Sequence, residues 1–127
     1  MINGKKLIEI RKAGFVNKGA ELMLFAVLEK MKQEFPDAEF TMAPSVSTAS
    51  APYLKRAELH FYQKAHLWRK GFQFGVLANL IPEKIRDMYG IVLDKEVDIV
   101  IDAAGFSYSD QWGKYSCLEL ADSCKHW

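Results

Sequence analysis

Residues 98–113 read DIVIDAAGFSYSDQWG. The run opens with apolar, strand-forming residues held between two aspartates, and it then stops abruptly in small, polar and aromatic residues. A short apolar run of this kind predicts a strand covered on both faces, which is typical of a parallel sheet packed between helices. Ligands of such sheets collect beyond the carboxyl ends of the strands. The sequence therefore predicts that residues 103–111 lie at a binding site.

The amino-terminal part of the chain predicts a strand, a loop, a helix and a second strand. The predicted bounds are 7–11 for the first strand, 12–19 for the loop, 20–35 for the helix and 40–43 for the second strand. Apolar residues recur along one face of the helix, and Leu22 and Phe25 widen that face, so we expect its first turns to be buried on several sides. The unit has the length of a right-handed crossover between parallel strands, which makes the fold class α/β.

The remaining segments add few strands. Residues 53–69 fit a helix, with a short strand at 59–62 as the alternative. The later predictions are a helix at 74–81, a short helix from Pro82 that ends at Gly90, a strand at 97–102 and a final helix at 111–127. Residues 1–127 are expected to form a single domain with only three or four strands, fewer than a doubly wound sheet normally has. That domain is interpreted as the amino-terminal lobe of a longer two-lobed protein or as a shortened form of one.

Composition narrows the class of protein. The chain has 127 residues, of which 50% are hydrophobic, so it can bury one core. Its 17 Lys and Arg against 16 Asp and Glu give no reason to expect a nucleic-acid partner. Cys117 and Cys124 are about 10 Å apart if their segment is a regular helix, too far for a disulfide. With no signal-peptide core and no apolar stretch of about 18 residues, the sequence predicts a cytoplasmic protein without a membrane span.

The first loop ends at a helix amino terminus, where backbone N–H groups can bind anions. It is not a Walker loop, because the required Lys and Ser or Thr positions after its glycines hold Ala20 and Glu21. It also lacks the glycine spacing of a dinucleotide-binding fingerprint. Asn17 and Glu21 can line a cleft, or they can serve the helix alone, Asn17 as its cap and Glu21 in its first turn. The sequence leaves both interpretations open.

The second loop carries no recognisable catalytic triad. Its serines are not in the register of a nucleophile elbow, and the three histidines are scattered and are interpreted as surface or packing residues. Asp102 and Asp110 can form a carboxylate pair, whereas Ser107 or Ser109 can equally cap the last helix. A basic run in the middle of the chain is interpreted as a solvated face rather than an anion site; its members are Lys55, Arg56, Lys64, His66, Arg69 and Lys70.

Two blocks resemble a known family. Residues 17–24, NKGAELML, and residues 98–113 together resemble the amino-terminal half of the polysaccharide pyruvyl transferases, and the likeness runs from Lys6 to about Leu120. It implies a Rossmann-like three-layer α/β domain with a mainly parallel sheet, similar to one lobe of a B-type glycosyltransferase fold. It also implies an enzyme that transfers the pyruvyl group of phosphoenolpyruvate to a sugar as a ketal.

The resemblance further implies which residues bind substrate. The residues that would meet a sugar or glycan acceptor are Asn17, Gly19, Glu21, Gly105, Ser107, Tyr108, Asp110 and Gln111. No catalytic residue, metal ligand or cofactor is assigned in this chain; phosphoenolpyruvate is the expected co-substrate of the full enzyme, and a carboxyl-terminal lobe is the expected partner. Alone, the chain is expected to be inactive and to self-associate through uncovered apolar surface. The alternatives are a nucleotide-sugar glycosyltransferase lobe and a non-catalytic binding or assembly module.

Overall fold

A computed structural model describes residues 2, 4–43, 52–65, 68–69, 72–104, 108 and 113–126. Strands and helices alternate along most of this part of the chain. In chain order they are β1 (Leu7–Arg11), α1 (Lys18–Glu34), β2 (Glu39–Met42), α2 (Pro52–Glu58), β3 (Tyr62–Lys64), β4 (Trp68–Arg69), β5 (Phe72–Gln73), α3 (Glu83–Met88), β6 (Ile91–Val92), β7 (Ile99–Asp102) and α4 (Tyr115–His126). Two 3₁₀ segments, Phe74–Leu80 and Asp94–Glu96, precede α3 and β7.

Five strands form one parallel sheet in the order β6-β3-β2-β1-β7, and β4 and β5 form a separate antiparallel pair. This arrangement confirms the predicted α/β class, a Rossmann-like layering of helices on a parallel sheet. The prediction of three or four strands was too low for this sheet. It missed β6, because Ile91–Val92 is only two residues long and shows no readable periodicity.

Helix α1 covers one face of the sheet. Leu24 and Leu28 are its buried residues, and they belong to the same core cluster as Ile8 and Ile10 of β1. The expectation that the first turns are buried on several sides was wrong, because Leu22 is 72% exposed and Phe25 44% exposed. Their positions lie outside the stripe that the sheet can cover, since one face of a helix packs on one sheet.

The opposite face of the sheet is covered by a short piece of backbone in the described part of the chain. Residues 93–98 join β6, at one border of the sheet, to β7, at the other, so they pass over the three strands between. Leu93 and Val97 are buried on the way, and Val97 packs with Leu7 and Val92 in a second apolar cluster. At the end of this segment Asp98 is hydrogen-bonded to β1. Its N–H donates to the Leu7 carbonyl, and its carboxylate accepts from the Leu7 N–H.

Helix ends follow ordinary stereochemistry. Helix α3 ends at Met88, and Gly90 follows with φ +61°, a left-handed conformation that glycine adopts without a Cβ clash. Gly90 therefore ends the helix as predicted. Helix α4 begins at Tyr115 rather than at residue 111, so Ser107 and Ser109 are too far upstream to cap it.

Candidate functional site at the carboxyl edge of the sheet

The strand order reverses between β1 and β7. From β1 the chain adds β2, β3 and β6 on one side, and β7 then pairs with the free edge of β1 on the other side. In open α/β sheets the crevice outside the carboxyl ends at such a reversal is the usual ligand site. Arg11 and Asp102 are register partners there, and the Ala103 N–H donates to the Arg11 carbonyl at 3.0 Å. The loops that follow β1 and β7 therefore begin side by side.

Three side chains meet at this reversal and form what we term the rim cluster: Lys12, Asp102 and Tyr108. The Tyr108 hydroxyl donates to Asp102 Oδ2 at 2.5 Å, while the Ala104 N–H donates to Asp102 Oδ1 at 2.9 Å. Lys12 Nζ lies 3.4 Å from the Tyr108 oxygen and 3.8 Å from Asp102 Oδ2. Lys12 itself has φ +55°, a left-handed conformation that is uncommon for a residue with a side chain. The cluster thus joins the first loop to the second.

The rim cluster remains open to solvent. The side chains of Lys12 and Asp102 are 28% and 15% exposed. Partial burial raises the pKa of Tyr108, and its hydrogen bond to Asp102 raises it further. The phenol is therefore a neutral hydrogen-bond donor at physiological pH, not a nucleophile. An ammonium, a carboxylate and a phenol grouped in this way can donate to and accept from the hydroxyls of a polyol.

The predicted residues of the first loop serve the start of α1. Asn17 Oδ1 accepts from the Gly19 N–H at 2.8 Å, which makes Asn17 the amino-terminal cap. Glu21 is held between Lys18 Nζ at 2.6 Å and Lys55 Nζ at 2.5 Å. Hydrogen bonds from these two lysines lower the pKa of Glu21.

These residues are not joined directly to the rim cluster. No hydrogen bond or ion pair within the described ranges links Asn17 or Glu21 to Asp102 or Tyr108. The capping role of Asn17 is confirmed by its geometry. Of the second-loop residues, Tyr108 is in the rim cluster, whereas Gly105, Ser107, Asp110 and Gln111 lie outside the described residues.

Lys12 was not predicted as a site residue from the sequence. Its position in the sequence could have indicated this role, because a basic residue directly after a predicted parallel strand lies at the edge of the sheet where ligands bind. Asp102 was considered only as a partner for Asp110. The structure places its two oxygens on Tyr108 and on the backbone of its own turn, and the pairing with Asp110 lies outside the described residues.

A second group of charges lies on the same sheet face, and its two central members are closed to solvent. This buried network consists of Arg11, Glu9, Lys64 and Asp94. Glu9 Oε2 lies 2.6 Å from Lys64 Nζ and 3.1 Å from Arg11 Nε, and Lys64 also pairs with Asp94. The side chains of Glu9 and Lys64 are each 1% exposed. Their opposite charges compensate one another across the β2 strand that separates them.

The basic run of the sequence is not a uniformly solvated face. Lys64 and Arg56 are only 3% and 6% exposed. The interpretation was wrong for these two residues because β3 and α2 turn them toward the sheet, where Lys64 finds carboxylates. Lys55 is partly exposed, and it lies over the Phe15 ring at 5.5 Å from the centroid. Nothing is described of the side chains of His66, Arg69 and Lys70.

A cavity of about 340 Å³ opens away from these charges. Its lining includes Glu39, Tyr62 and Tyr89, beside the amino ends of β2, β3 and β6. The cavity therefore lies at the amino ends of the strands, whereas the rim cluster lies at their carboxyl ends. We give the rim cluster more weight as a functional site, because parallel sheets bind ligands at the carboxyl edge.

Searches for a metal centre and for membrane helices give negative results within the described ranges. There, no three His, Cys, Asp or Glu side chains come together in a way that could hold a metal ion. The helices of the same ranges are either too short or too polar to cross a bilayer. Cys117 and Cys124 are free, as their spacing predicts, and both are exposed. No family model, curated protein or solved structure matches the chain.

Proposed function

We propose that this chain is the acceptor-binding amino-terminal part of a cytoplasmic pyruvyl-transferase-like enzyme, and that the acceptor sugar binds at the rim cluster. The observation that carries the proposal is the contact of Lys12 with Asp102 and Tyr108 at the strand-order reversal. Tyr108 and Asp102 belong to the sequence block with the stronger resemblance to that family. The two lines of support are independent, since one is a pattern of residues and the other is the topology of the sheet.

The rim cluster suits a pair of neighbouring sugar hydroxyls. Asp102 accepts hydrogen bonds, Lys12 donates them and the neutral phenol of Tyr108 can do both. A carboxylate that already accepts from Tyr108 and from a backbone N–H is held in one orientation. It can therefore position a hydroxyl without first being ordered itself, which favours binding of a correctly oriented acceptor.

The proposed transfer has requirements beyond acceptor binding. Two sugar oxygens bond to C2 of phosphoenolpyruvate, the methylene carbon takes a proton to become a methyl group, and the bond from C2 to the phosphate oxygen breaks. One hydroxyl proton balances the new methyl group, and the other leaves with inorganic phosphate. The developing charge on phosphate and carboxylate calls for cations. We assign those cations to a carboxyl-terminal lobe, so the chain alone binds acceptor without turnover.

Saturation-transfer NMR on the full chain tests acceptor binding. The probes are the methyl pyranosides of glucose, galactose and mannose. At least one should receive magnetisation from the wild type, and Asp102→Asn and Tyr108→Phe should weaken that signal several-fold by removing a hydrogen-bonding group. Lys30→Ala, on the exposed side of α1, is the matched control and should leave the signal unchanged.

Three results would contradict the proposal. Absence of transfer to every sugar would remove acceptor binding at this edge. Release of phosphate from phosphoenolpyruvate and a sugar by the isolated chain would overturn the division of labour between two lobes. Tight binding of a nucleoside diphosphate in a calorimetric titration would instead support the glycosyltransferase alternative.

A further inference from the structure

Arg56 is a buried cation at the same edge of the sheet. It lies in α2, is 6% exposed, and donates from Nη2 to the carbonyl oxygen of Ala43 at 3.1 Å. Ala43 directly follows the last residue of β2, so the guanidinium stands at the carboxyl end of that strand. Burial lowers the pKa of Arg56, but an arginine remains protonated at neutral pH. A positive charge is therefore enclosed here.

This charge has no carboxylate partner among the residues that the structure describes. Its Nε is enclosed without a hydrogen-bond acceptor. The residues that follow Ala43 in the sequence, 44–51, read PSVSTASA and contain neither Asp nor Glu. Enclosing a cation without a counter-charge is costly, because the desolvation of the ion is not offset by an ion pair.

Arg86 shows what a purely structural arginine looks like in this protein. It is 7% exposed, nearly the same as Arg56. Its Nε, like that of Arg56, is enclosed without an acceptor, but its Nη1 contacts both carboxylate oxygens of Glu96 at 2.8 and 2.9 Å. The two residues thus match in type and burial and differ in whether the charge is compensated by the protein.

A second cation from α2 reaches the same edge. Lys55 contacts Glu21 in the first turn of α1, and the amino end of that helix carries a partial positive charge. The Glu21 carboxylate compensates Lys55, however, so the positive charge that remains for an oxyanion at this edge is that of Arg56. Guanidinium groups bind phosphate and carboxylate through paired, charge-assisted hydrogen bonds.

We propose that Arg56 anchors an anion subsite at the carboxyl end of β2, which binds a phosphate-type oxyanion. The subsite is separate from the rim cluster, which belongs to β1 and β7, and it stands on the uncompensated charge of Arg56 alone. Its ligand group comes either from a phosphorylated acceptor or from phosphoenolpyruvate, and the second source would place one of the cations assigned above to the carboxyl-terminal lobe in this chain. The subsite can therefore be correct when the proposed acceptor site is not, and the reverse also holds.

Calorimetric titration of inorganic phosphate into the full chain tests the subsite. The wild type should bind phosphate, and added NaCl should weaken the binding through screening. Arg56→Met should reduce affinity by about tenfold or more, which corresponds to losing charge-assisted hydrogen bonds. Arg56→Lys keeps the charge but not the paired geometry and should fall between the two. Glucose 1-phosphate and phosphoenolpyruvate then identify the source by which of them binds more tightly than phosphate.

The matched control is Arg86→Met. It should lower the melting temperature, because it removes the ion pair of Arg86 with Glu96, and it should bind phosphate as the wild type does. Arg56→Met should melt at the wild-type temperature or above it, since it removes a buried charge that nothing compensates. Equal phosphate affinity of Arg56→Met and wild type would overturn the proposal, as would the absence of phosphate binding by wild type.

Discussion

The buried network and the rim cluster lie on the same face of one sheet, near the same edge, and are built from the same kinds of residue. In the buried network, Glu9 and Lys64 are each 1% exposed and lie 2.6 Å apart. In the rim cluster, the shortest distance from Lys12 to Asp102 is 3.8 Å and both side chains reach solvent. Burial therefore distinguishes the two groups. The buried network stabilises the pairing of strands, whereas the exposed rim cluster can exchange its partners for a ligand.

The largest expected effect on stability comes from a substitution in the buried network. Glu9→Leu removes the carboxylate that Lys64 and Arg11 share, and the enclosed Lys64 ammonium loses one of its ion-pair partners. We expect unfolding free energy to fall by about 3–5 kcal/mol, as for other broken buried ion pairs. Urea unfolding followed by circular dichroism measures it.

The double variant Glu9→Leu with Lys64→Met sharpens that test. It removes both enclosed charges at once, and Arg11 and Asp94, which are 24% and 46% exposed, can hydrate. The loss should be well below the sum of the two single losses, because interacting residues are not additive. Additive losses would show that the pair is not coupled, and a single loss below about 1 kcal/mol would contradict its structural role.

A smaller effect on stability is expected in the rim cluster. Tyr108→Phe removes the hydroxyl that donates to Asp102, and it should lower stability at pH 7 by about 1.5 kcal/mol, the value of one hydrogen bond to a charged group. Asp102 keeps the Ala104 N–H and can take water in place of the phenol. A loss as large as that of Glu9→Leu would show that the rim cluster is structural after all.

The pH dependence of Tyr108 has a definite sign. The pKa of the phenol is raised in the folded state. The stability that the Tyr108 hydroxyl contributes is therefore fully present below the ordinary tyrosine pKa of about 10. It is then lost as the pH rises through the raised value. Absorbance titration of wild type minus Tyr108→Phe should show one tyrosine that ionises later than usual. A difference curve centred at or below the ordinary value would exclude the hydrogen bond to Asp102.

The smallest expected effect on stability comes from an exposed ion pair, which serves as the reference for the buried network and the rim cluster. Lys30 and Glu34 form an exposed ion pair at 2.6 Å on α1, with side chains 63% and 53% exposed. Lys30→Ala should change stability by only about 0.3–0.5 kcal/mol, because exposed helix pairs are weak. The same urea assay checks it, and a loss near that of the buried network would mean that enclosure is not what separates the two groups of charges.

Much of the framework could be predicted from the sequence. Strand β1 has the predicted bounds, and α1 and β2 begin within two residues of prediction, because each carries a local pattern of apolar residues. The buried network could not be found this way. Glu9 and Lys64 are separated by 55 positions, and a charged residue on a strand is ordinarily a sign of solvent.

The candidate site was predicted in part for a related reason. Its location follows from where the predicted strands end, which the sequence gives locally, and Tyr108 was placed there through the resemblance. Lys12 and Asp102 as its partners depend on β7 pairing with β1 rather than with β6. That choice is made by tertiary structure, and no nearby residue encodes it.

The late pairing of β7 has a consequence for how the protein is made. The hydrogen bond between Leu7 and Asp98 joins residues 91 positions apart, whereas the other neighbour of β1 arrives with residue 39. During synthesis β1 must therefore remain unpaired along one edge until nearly the whole sheet has left the ribosome. Such distant contacts form slowly, and a polypeptide interrupted before residue 98 would have neither the last strand nor the rim at which a ligand could bind.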